Sequence, residues 1–405
     1  MWSTDSEVLV AGYVMVVNGL LTTPLPFADG TIPVPNSRSR DPMAFLARLD
    51  RSGHLRAGVV HNPSTAWDVY SDGASLPDGS VIVGGFENAN ESGNAQVALA
   101  RYSPTNERVW SRSFGGPQTS GAEGASSISI APDGRVFVSG FVNDTFPGAL
   151  GSSGPGALVM EVSPDDGSIL WSRVFGGMGS IGAQARVIQA TDTNLYIGID
   201  ASGSGTLELG AAGNVGLSRI GKSFVVQLSR TDGAALVAWQ APTSVDAAVD
   251  SLEVSDRGVL VGWVDYRNDA GSRRDSSARA TLLSLALANP SEVANVPGPN
   301  MQLAGAFTRG SDTVVVGSTA RNLDDTYLTG WMTGTDLFIR GIDSMSRERW
   351  TKYDGEGIGF ESAVMGQRGA SLLIAGSHTR GFVFEGVQFP EGSRGMGYLI
   401  ELTLP

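Results

Sequence analysis

The sequence predicts an all-β chain, and three observations carry that reading. The first is a phrase written seven times, a short apolar run with a small residue near its end: VLVAG, VIVGG, VFVSG, LYIGI, VLVGW, VVVGS and LLIAG. Its small slot falls at Ala11, Gly84, Ser139, Gly198, Gly262, Gly317 and Ala375, at spacings of 73, 55, 59, 64, 55 and 58 residues. The second is a partner run after each phrase: FLARLD, VALARYS, LVMEVS, FVVQLS, LLSLA, LFIRGID and YLIEL. The third is composition, with 54 glycines in 405 residues and almost no helical periodicity, as short strands joined by turns require. Recurrence at a near-constant period marks a repeat architecture. Units of four antiparallel strands are the blades of a β-propeller. Seven copies therefore predict an all-β, seven-bladed β-propeller. It forms one domain over 1–405, with blades near 1–61, 62–115, 116–176, 177–241, 242–297, 298–354 and 355–405.

One blade can be read strand by strand between Gly124 and Gly177. SSISIA is the first strand and ends in the turn Pro132-Asp133-Gly134, RVFVSGF is the second, and ALVMEVS follows a longer loop as the third. The turn Pro164-Asp165-Asp166-Gly167 leads into the fourth, ILWSRVF. Proline presets φ, aspartate bonds its own backbone and glycine accepts positive φ, so these are hairpin turns with a mechanism. Leu76-Pro77-Asp78-Gly79 repeats the first turn; Asp50-Arg51-Ser52-Gly53 and Thr231-Asp232-Gly233 repeat the second. The outer strand recurs as VWSRSFGG from Val109 and RWTKYDG from Arg349. By this pattern the first blade begins at its second strand, with Met1-Trp2 as a stub of the missing one, and the last blade ends on its third strand. The expectation is of a native chain that extends further at its N-terminus, the alternative being a ring that closes by side-chain packing between the two incomplete blades.

The phrases at Trp110–Gly116, Pro132–Gly140 and Trp171–Gly177, with a third strand of the FLARLD type, resemble the seven-bladed β-propeller repeat of bacterial surface proteins and lipoproteins, the SBBP repeat. The likeness spans essentially the whole chain and is weakest from Asp246 to Arg321. GTLELG (Gly205–Gly210) and FVFEGVQF (Phe382–Phe389) also look like that family, in which a small hairpin often joins the second and third strands. The resemblance implies the fold and an exported bacterial setting: extracellular, cell-surface or periplasmic. It supplies no catalytic residues.

The bulk properties remove several function classes. A net charge of −13 lacks the basic footprint that phosphate backbones and anionic membranes demand. With no cysteine, disulfides, thiolate metal sites and cysteine nucleophiles are absent. The longest apolar run, Val8–Val17, is too short to span a bilayer. Asp5 and Glu7 stand where a signal peptide would be basic, so the expectation is of a chain whose export signal is not part of it.

Strand order divides the loops between two sides. Connections from first to second and from third to fourth strand are short. Those from second to third strand are long and varied: Asn18–Pro42, Asn143–Gly156, Ala201–Lys222, Asp265–Arg279, Thr319–Asp336 and His378–Gly395. Irregular loops on a rigid scaffold are where binding resides, which places a ligand site on the long-loop side, at the channel mouth. Tyr266, Tyr327 and Trp331 are its candidate aromatic contacts for sugar or protein. Asp265, Asp324 and Asp325 are the carboxylates to test for glycan cleavage, which needs two such groups across a cleft. Asp265, Asn268 and Asp269, and separately Asp354, Glu356 and Glu361, are oxygen clusters suited to calcium, although neither has EF-hand spacing. No other cofactor is expected. Asp165-Asp166 reads as turn chemistry. Gly177-x-Gly179-x-x-Gly182 matches a dinucleotide fingerprint by letter but lacks the following helix, so it reads as a blade-to-blade turn. Of the three histidines, His54 and His61 flank one outer strand and His378 lies in another blade, a poor match to a zinc triad.

The leading expectation is a non-enzymatic binding module for a protein or polysaccharide. The alternatives are a glycan-acting hydrolase or lyase, and a structural subunit that self-associates through incomplete terminal blades.

Overall fold

In the computed structural model the described residues are 2–3, 7–14, 25–27, 29–33, 43–50, 52–61, 67–89, 95–115, 122–152, 154–217, 221–243, 246–269, 272–298, 301–320, 335–354, 360–368, 371–378, 382–384, 387–389 and 396–403. They form two compact units, Met1–Arg219 with Val226–Ala238, and Ile220–Val225 with Trp239–Pro405.

The first unit carries three whole sheets and most of a fourth, whose residues Lys222–Val225 and Trp239–Gln240 are counted in the second unit. Sheet 1 orders Trp2–Ser3, Val8–Val14, Met43–Leu49 and Leu55–His61. Sheet 2 orders Trp67–Ser75, Val81–Ala89, Gln96–Tyr102 and Arg108–Phe114. Sheet 3 orders Gly124–Ile130, Val136–Val142, Gly156–Val162 and Ile169–Phe175, with Leu150–Gly151 added in parallel on the fourth strand. Sheet 4 orders Gly177–Ala190, Asn194–Glu208, Lys222–Ser229 and Ala235–Gln240, and Asn214–Leu217 pairs with its second strand. In the second unit, sheet 5 orders Asp246–Ser255, Gly258–Asp269, Ser272–Leu283 and Ser291–Gly298. Sheet 6 orders Met301–Arg309, Asp312–Ala320, Thr335–Ile342 and Glu348–Asp354, and sheet 7 orders Phe360–Arg368, Ser371–His378 and Met396–Thr403. Two small hairpins stand apart, Leu25–Phe27 with Gly30–Ile32 and Phe382–Phe384 with Val387–Phe389.

The small slot has a structural cause. The first strand skips a residue between Tyr70 and Asp72, Ala125 and Ser127, Ala185 and Val187, and Val249 and Ser251. A bulge sets two residues against one and kinks the strand toward its partner. The residue after each bulge pairs with Gly84, Ser139, Gly198 and Gly262 respectively. A Cβ on Gly84 would sit 2.7 Å from Leu99 Cδ2 and 3.0 Å from Ile128 Cδ1, so those side-chain ends would have to shift to admit one, which keeps the slot small. First strands of neighbouring sheets are also stitched by side chains. Asp72 accepts from the Ile128 amide at 2.8 Å, Ser129 Oγ from Ala190 at 2.9 Å and Ser251 Oγ from Ala306 at 3.0 Å.

A second repeated device latches sheet 2 to sheet 3 and sheet 3 to sheet 4. Trp110 Nε1, on the fourth strand of sheet 2, donates to the Pro164 carbonyl in sheet 3's last turn at 2.9 Å. Trp171 Nε1 does the same to the Arg230 carbonyl of sheet 4 at 3.2 Å. Two residues on, Arg112 donates to the Asp166 carbonyl and Arg173 to the Asp232 carbonyl. Each indole lies over a glycine of that turn, Gly167 (φ +73°) or Gly233 (φ +66°), where the left-handed backbone and the ring both exclude a Cβ. Sheet 1 has Ala57 opposite Arg48, the place where sheet 2 sets Trp110 opposite Arg101. There the third-strand Arg48, 2 % exposed, takes over: it donates to Glu7, Asn106 and the Gly79 and Ser103 carbonyls.

Four expectations change. Sheet 1 has a first strand, the two-residue Trp2–Ser3 paired to Leu9 and Val8. The Gly177–Gly182 stretch is strand, because the ladder of sheet 4 runs from Gly177↔Leu207 to Ala190↔Leu195. Part of Ala201–Lys222 continues that ladder and gains Asn214–Leu217 as a further strand. The Asp265–Arg279 loop is a hairpin extension, paired from Asp265↔Ser277 out to Asp269↔Ser272. Its polar residues read as loop in sequence because both faces of the extension carry them.

Candidate functional site

On the second-to-third-strand side of the first unit, the titratable groups meet at the ends of sheets 1 and 2. His61 closes the fourth strand of sheet 1, Glu87 lies near the end of sheet 2's second strand, and Ser113 lies near the end of its fourth. Ser113 Oγ donates to Glu87 Oε1, and His61 Nε2 stands 3.9 Å from Glu87 Oε2. The imidazole stacks on Tyr70 with centroids 5.7 Å apart, and the Tyr70 and Tyr102 hydroxyls are 2.9 Å apart. Burial pushes the Tyr70 phenol well above its usual range, reinforced by Tyr102, so it stays neutral. The serine bonds the carboxylate and not the imidazole. A nucleophile needs its hydrogen bond to the base that will take its proton, and this order does not supply one. The group ties three strand ends together.

In the second unit, Asp265 is 4 % exposed on the second strand of sheet 5. Its Oδ2 accepts from Arg279 Nε at 3.0 Å, and Arg279 also pairs with Glu292. The guanidinium lies 5.3 Å from the Trp263 ring centroid, and Trp263 Nε1 donates to Thr281 Oγ1 at 3.1 Å. A carboxylate so held is a strut across the face of the sheet. Tyr266 pairs in the ladder with Ser276 and Asp246. Asn268 and Asp269 continue the strand, with side chains outside the described set, as is that of Asp354 at the end of sheet 6. Asp324, Asp325, Tyr327, Trp331 and Glu356 lie outside the described residues. No group of three or more His, Asp or Glu suited to a metal occurs among the described residues.

The opposite, short-turn side is built from ionised aspartates in tight turns. Backbone and hydroxyl donation from Ser168 holds Asp166 down at about 2. The Arg230 guanidinium lowers Asp133, and Ser80 with Arg101 lowers Asp78. The side holding the insertions differs from sheet to sheet. Sheet 1 has an added hairpin, sheet 3 an added parallel strand, sheet 4 a three-stranded extension exposing Ser180, Ser202, Ser204 and Asn214, and sheet 5 a long hairpin. The pattern in the sequence that would have revealed the His61 group is slight, since its members lie 26 residues apart in two cases and are joined only by pairing.

No protein-family model matches the chain, and no curated protein does. Solved structures do. The polysaccharide lyase Uly1 superposes with a TM-score of 0.51 at 10 % identity, covering 90 % of this chain and 85 % of that one. The fold is a β-propeller. The dihydro-heme d1 dehydrogenase NirN covers 97 % of this propeller and 80 % of its own length at 12 % identity, with a TM-score of 0.44. Hydrazine synthase of Kuenenia stuttgartiensis covers 76 % of each chain at 11 % identity, with a TM-score of 0.42. Identities this low speak to the propeller's fold and not to its chemistry. No helix among the described residues is long and apolar enough to cross a membrane.

Proposed function

We propose that this chain is a seven-bladed propeller of the bacterial surface-repeat type. It acts outside the cytoplasm as a non-enzymatic module that binds a polysaccharide or protein on its second-to-third-strand side. One observation carries the reading. That side carries a three-stranded extension in sheet 4 and, in the second unit, a long hairpin in sheet 5, while in the first unit the other side is closed by short turns that Trp110, Trp171, Arg101 and Arg230 pin from sheet to sheet. Variation on one side of a uniform scaffold is the arrangement that recognition uses. The buried carboxylates Asp265 and Glu87 are held by Arg279 and by Ser113, which suits a scaffold more than a cleft. Tyr266, Tyr327 and Trp331 are the aromatic contacts to test.

The experiment is an array of purified polysaccharides probed with the labelled chain, beside variants Ser180→Arg/Ser204→Arg and Tyr266→Ala/Tyr327→Ala/Trp331→Ala. Retention of one polysaccharide class by the parent, and its loss in either variant, supports the reading. New reducing ends or unsaturated products would replace it with an enzyme, and equal retention by all three proteins would remove the site.

A further inference from the structure

In two sheets of the first unit, the insertion between second and third strands folds back over the outer strand of its own sheet. In sheet 1 the hairpin Leu25–Phe27/Gly30–Ile32 lies against Leu55–His61. Asp29 Oδ1 accepts from the Leu55 amide at 3.1 Å, and Ile32, fully buried, fills the place a side chain on Gly58 would need. In sheet 3 Leu150–Gly151 pairs in parallel with Arg173–Val174, and the Ser152 amide donates to the Val174 carbonyl at 3.0 Å. Val174 is 2 % exposed beneath it.

Sheet 2 repeats the outer strand of sheet 3 almost letter for letter. Trp110-Ser-Arg-Ser-Phe-Gly-Gly stands where sheet 3 has Trp171-Ser-Arg-Val-Phe-Gly-Gly. Its own insertion is only residues 90–95. Covering the outer edge would take the chain three strand spacings out and two back, about 24 Å before any residue pairs. The seven Cα steps from Ala89 to Gln96 reach about 25 Å at full extension, which leaves no residue to pair along the edge. Arg108–Phe114 is the last strand of its sheet among the described residues, and Arg108, Val109, Ser111, Arg112 and Ser113 are all exposed, Val109 by 52 %. The bulge that usually protects such an edge sits between Arg108 and Trp110, so the stretch from Ser111 to Phe114 is regular. Ser113 pairs with Ala98 as Val174 pairs with Leu158, which turns its amide and carbonyl outward.

We propose that the Ser111–Phe114 edge of sheet 2 is a docking strip for an extended segment of a partner protein, added in parallel as Leu150–Gly151 is added in sheet 3. Backbone pairing supplies affinity in such strand addition, and side chains supply choice. The in-chain precedent, Ala149-Leu150-Gly151-Ser152, sets the pattern: an aliphatic residue between small ones, with the following glycine close against the strand. Arg112 is engaged on the Asp166 carbonyl, so Arg108, exposed at the start of the strand, is the charge that favours an acidic flank on the ligand. A second copy of this chain pairing through the same edge would set these arginines against one another, and is the poorer complement.

The test is fluorescence anisotropy of the whole chain with a labelled peptide Asp-Gly-Ala-Leu-Gly-Ser-Glu, against the same core flanked by lysines. Saturable binding of the acidic peptide below about 1 mM is expected. Ser113→Pro removes one outward amide without touching the ladder to the third strand, and should weaken binding roughly tenfold. Ser113→Ala, which loses the Glu87 bond but keeps that amide, separates docking from a general disturbance and should bind as the parent does. Arg108→Glu, which leaves the Arg112 latch in place, should weaken the preference for the acidic peptide over the lysine-flanked one. No saturable binding, or equal binding by the proline and alanine variants, overturns the proposal. So does a dimer in sedimentation that Ser113→Pro abolishes, which would assign the strip to a second copy.

Discussion

The latch between sheets 2 and 3 can be weighed by a double-mutant cycle on Trp110 and Gly167. A Cβ on Gly167 would lie 2.8 Å from Trp110 Cε3 and 2.9 Å from Arg112 Cγ, at a backbone φ of +73°. The left-handed backbone alone costs an alanine about 1 kcal/mol, and pressing on a packed ring adds about 1–3 kcal/mol. Gly167→Ala should therefore destabilise by about 2–4 kcal/mol. Trp110→Ala should cost about 3 kcal/mol, nearer the lower end for a buried aromatic. The reason is that the Pro164 carbonyl keeps a second donor, Arg101 Nη1 at 2.9 Å. Once the ring is gone, Gly167→Ala should cost only its backbone share. The two changes are thus coupled by about 1–3 kcal/mol. Urea unfolding followed by far-UV circular dichroism gives the four stabilities. Hydrogen exchange of sheet 3 amides isolates the local opening where the two units melt separately. Additivity within about 0.5 kcal/mol would refute the contact as the reason for glycine.

Two further outcomes follow from buried carboxylates. Burial raises Asp72 above the usual carboxylate range, against the pull of the Ile128 amide. A raised group contributes stability below its unfolded value near 3.8 and loses it as pH climbs through the folded one. Serine does the same stitching at Ser251, so Asp72→Ser should raise the melting temperature at pH 7, with the gain vanishing below pH about 4; an equal shift at both pH values would contradict the assignment. Arg279→Met keeps packing on Trp263 but strands Asp265, and should cost about 3–5 kcal/mol. Adding Asp265→Asn should recover most of that in chemical denaturation, and a cost under about 1 kcal/mol for Arg279→Met alone would show the pair to be idle.

The strands were legible because each phrase concentrates apolar residues at strand length between turn residues. The small slot was legible as a letter, but its cause lies in a bulge on the opposite strand, visible only once Asp72 and Gly84 are paired. Likewise WSRxFGG was plain in the sequence while the partner of Trp110 is a carbonyl 54 residues away. The candidate site was less legible. Asp265 looked like loop chemistry because a hairpin that extends past the sheet is polar on both faces, as loops are. The His61, Glu87 and Ser113 group offered no spacing to notice, because strand pairing and not sequence proximity assembles it.

The latches also give the chain a direction in time. Each indole belongs to the earlier sheet and its acceptor to the later one: Trp110 waits for Pro164, Trp171 for Arg230. On a ribosome adding about 5–20 residues per second, an emerging sheet would hold an uncapped aromatic ring for roughly 3–10 s before its acceptor is made. Sheets 2 and 3, when newly finished, thus each display one adhesive ring that only the next sheet retires, and a chain stopped at either boundary keeps it.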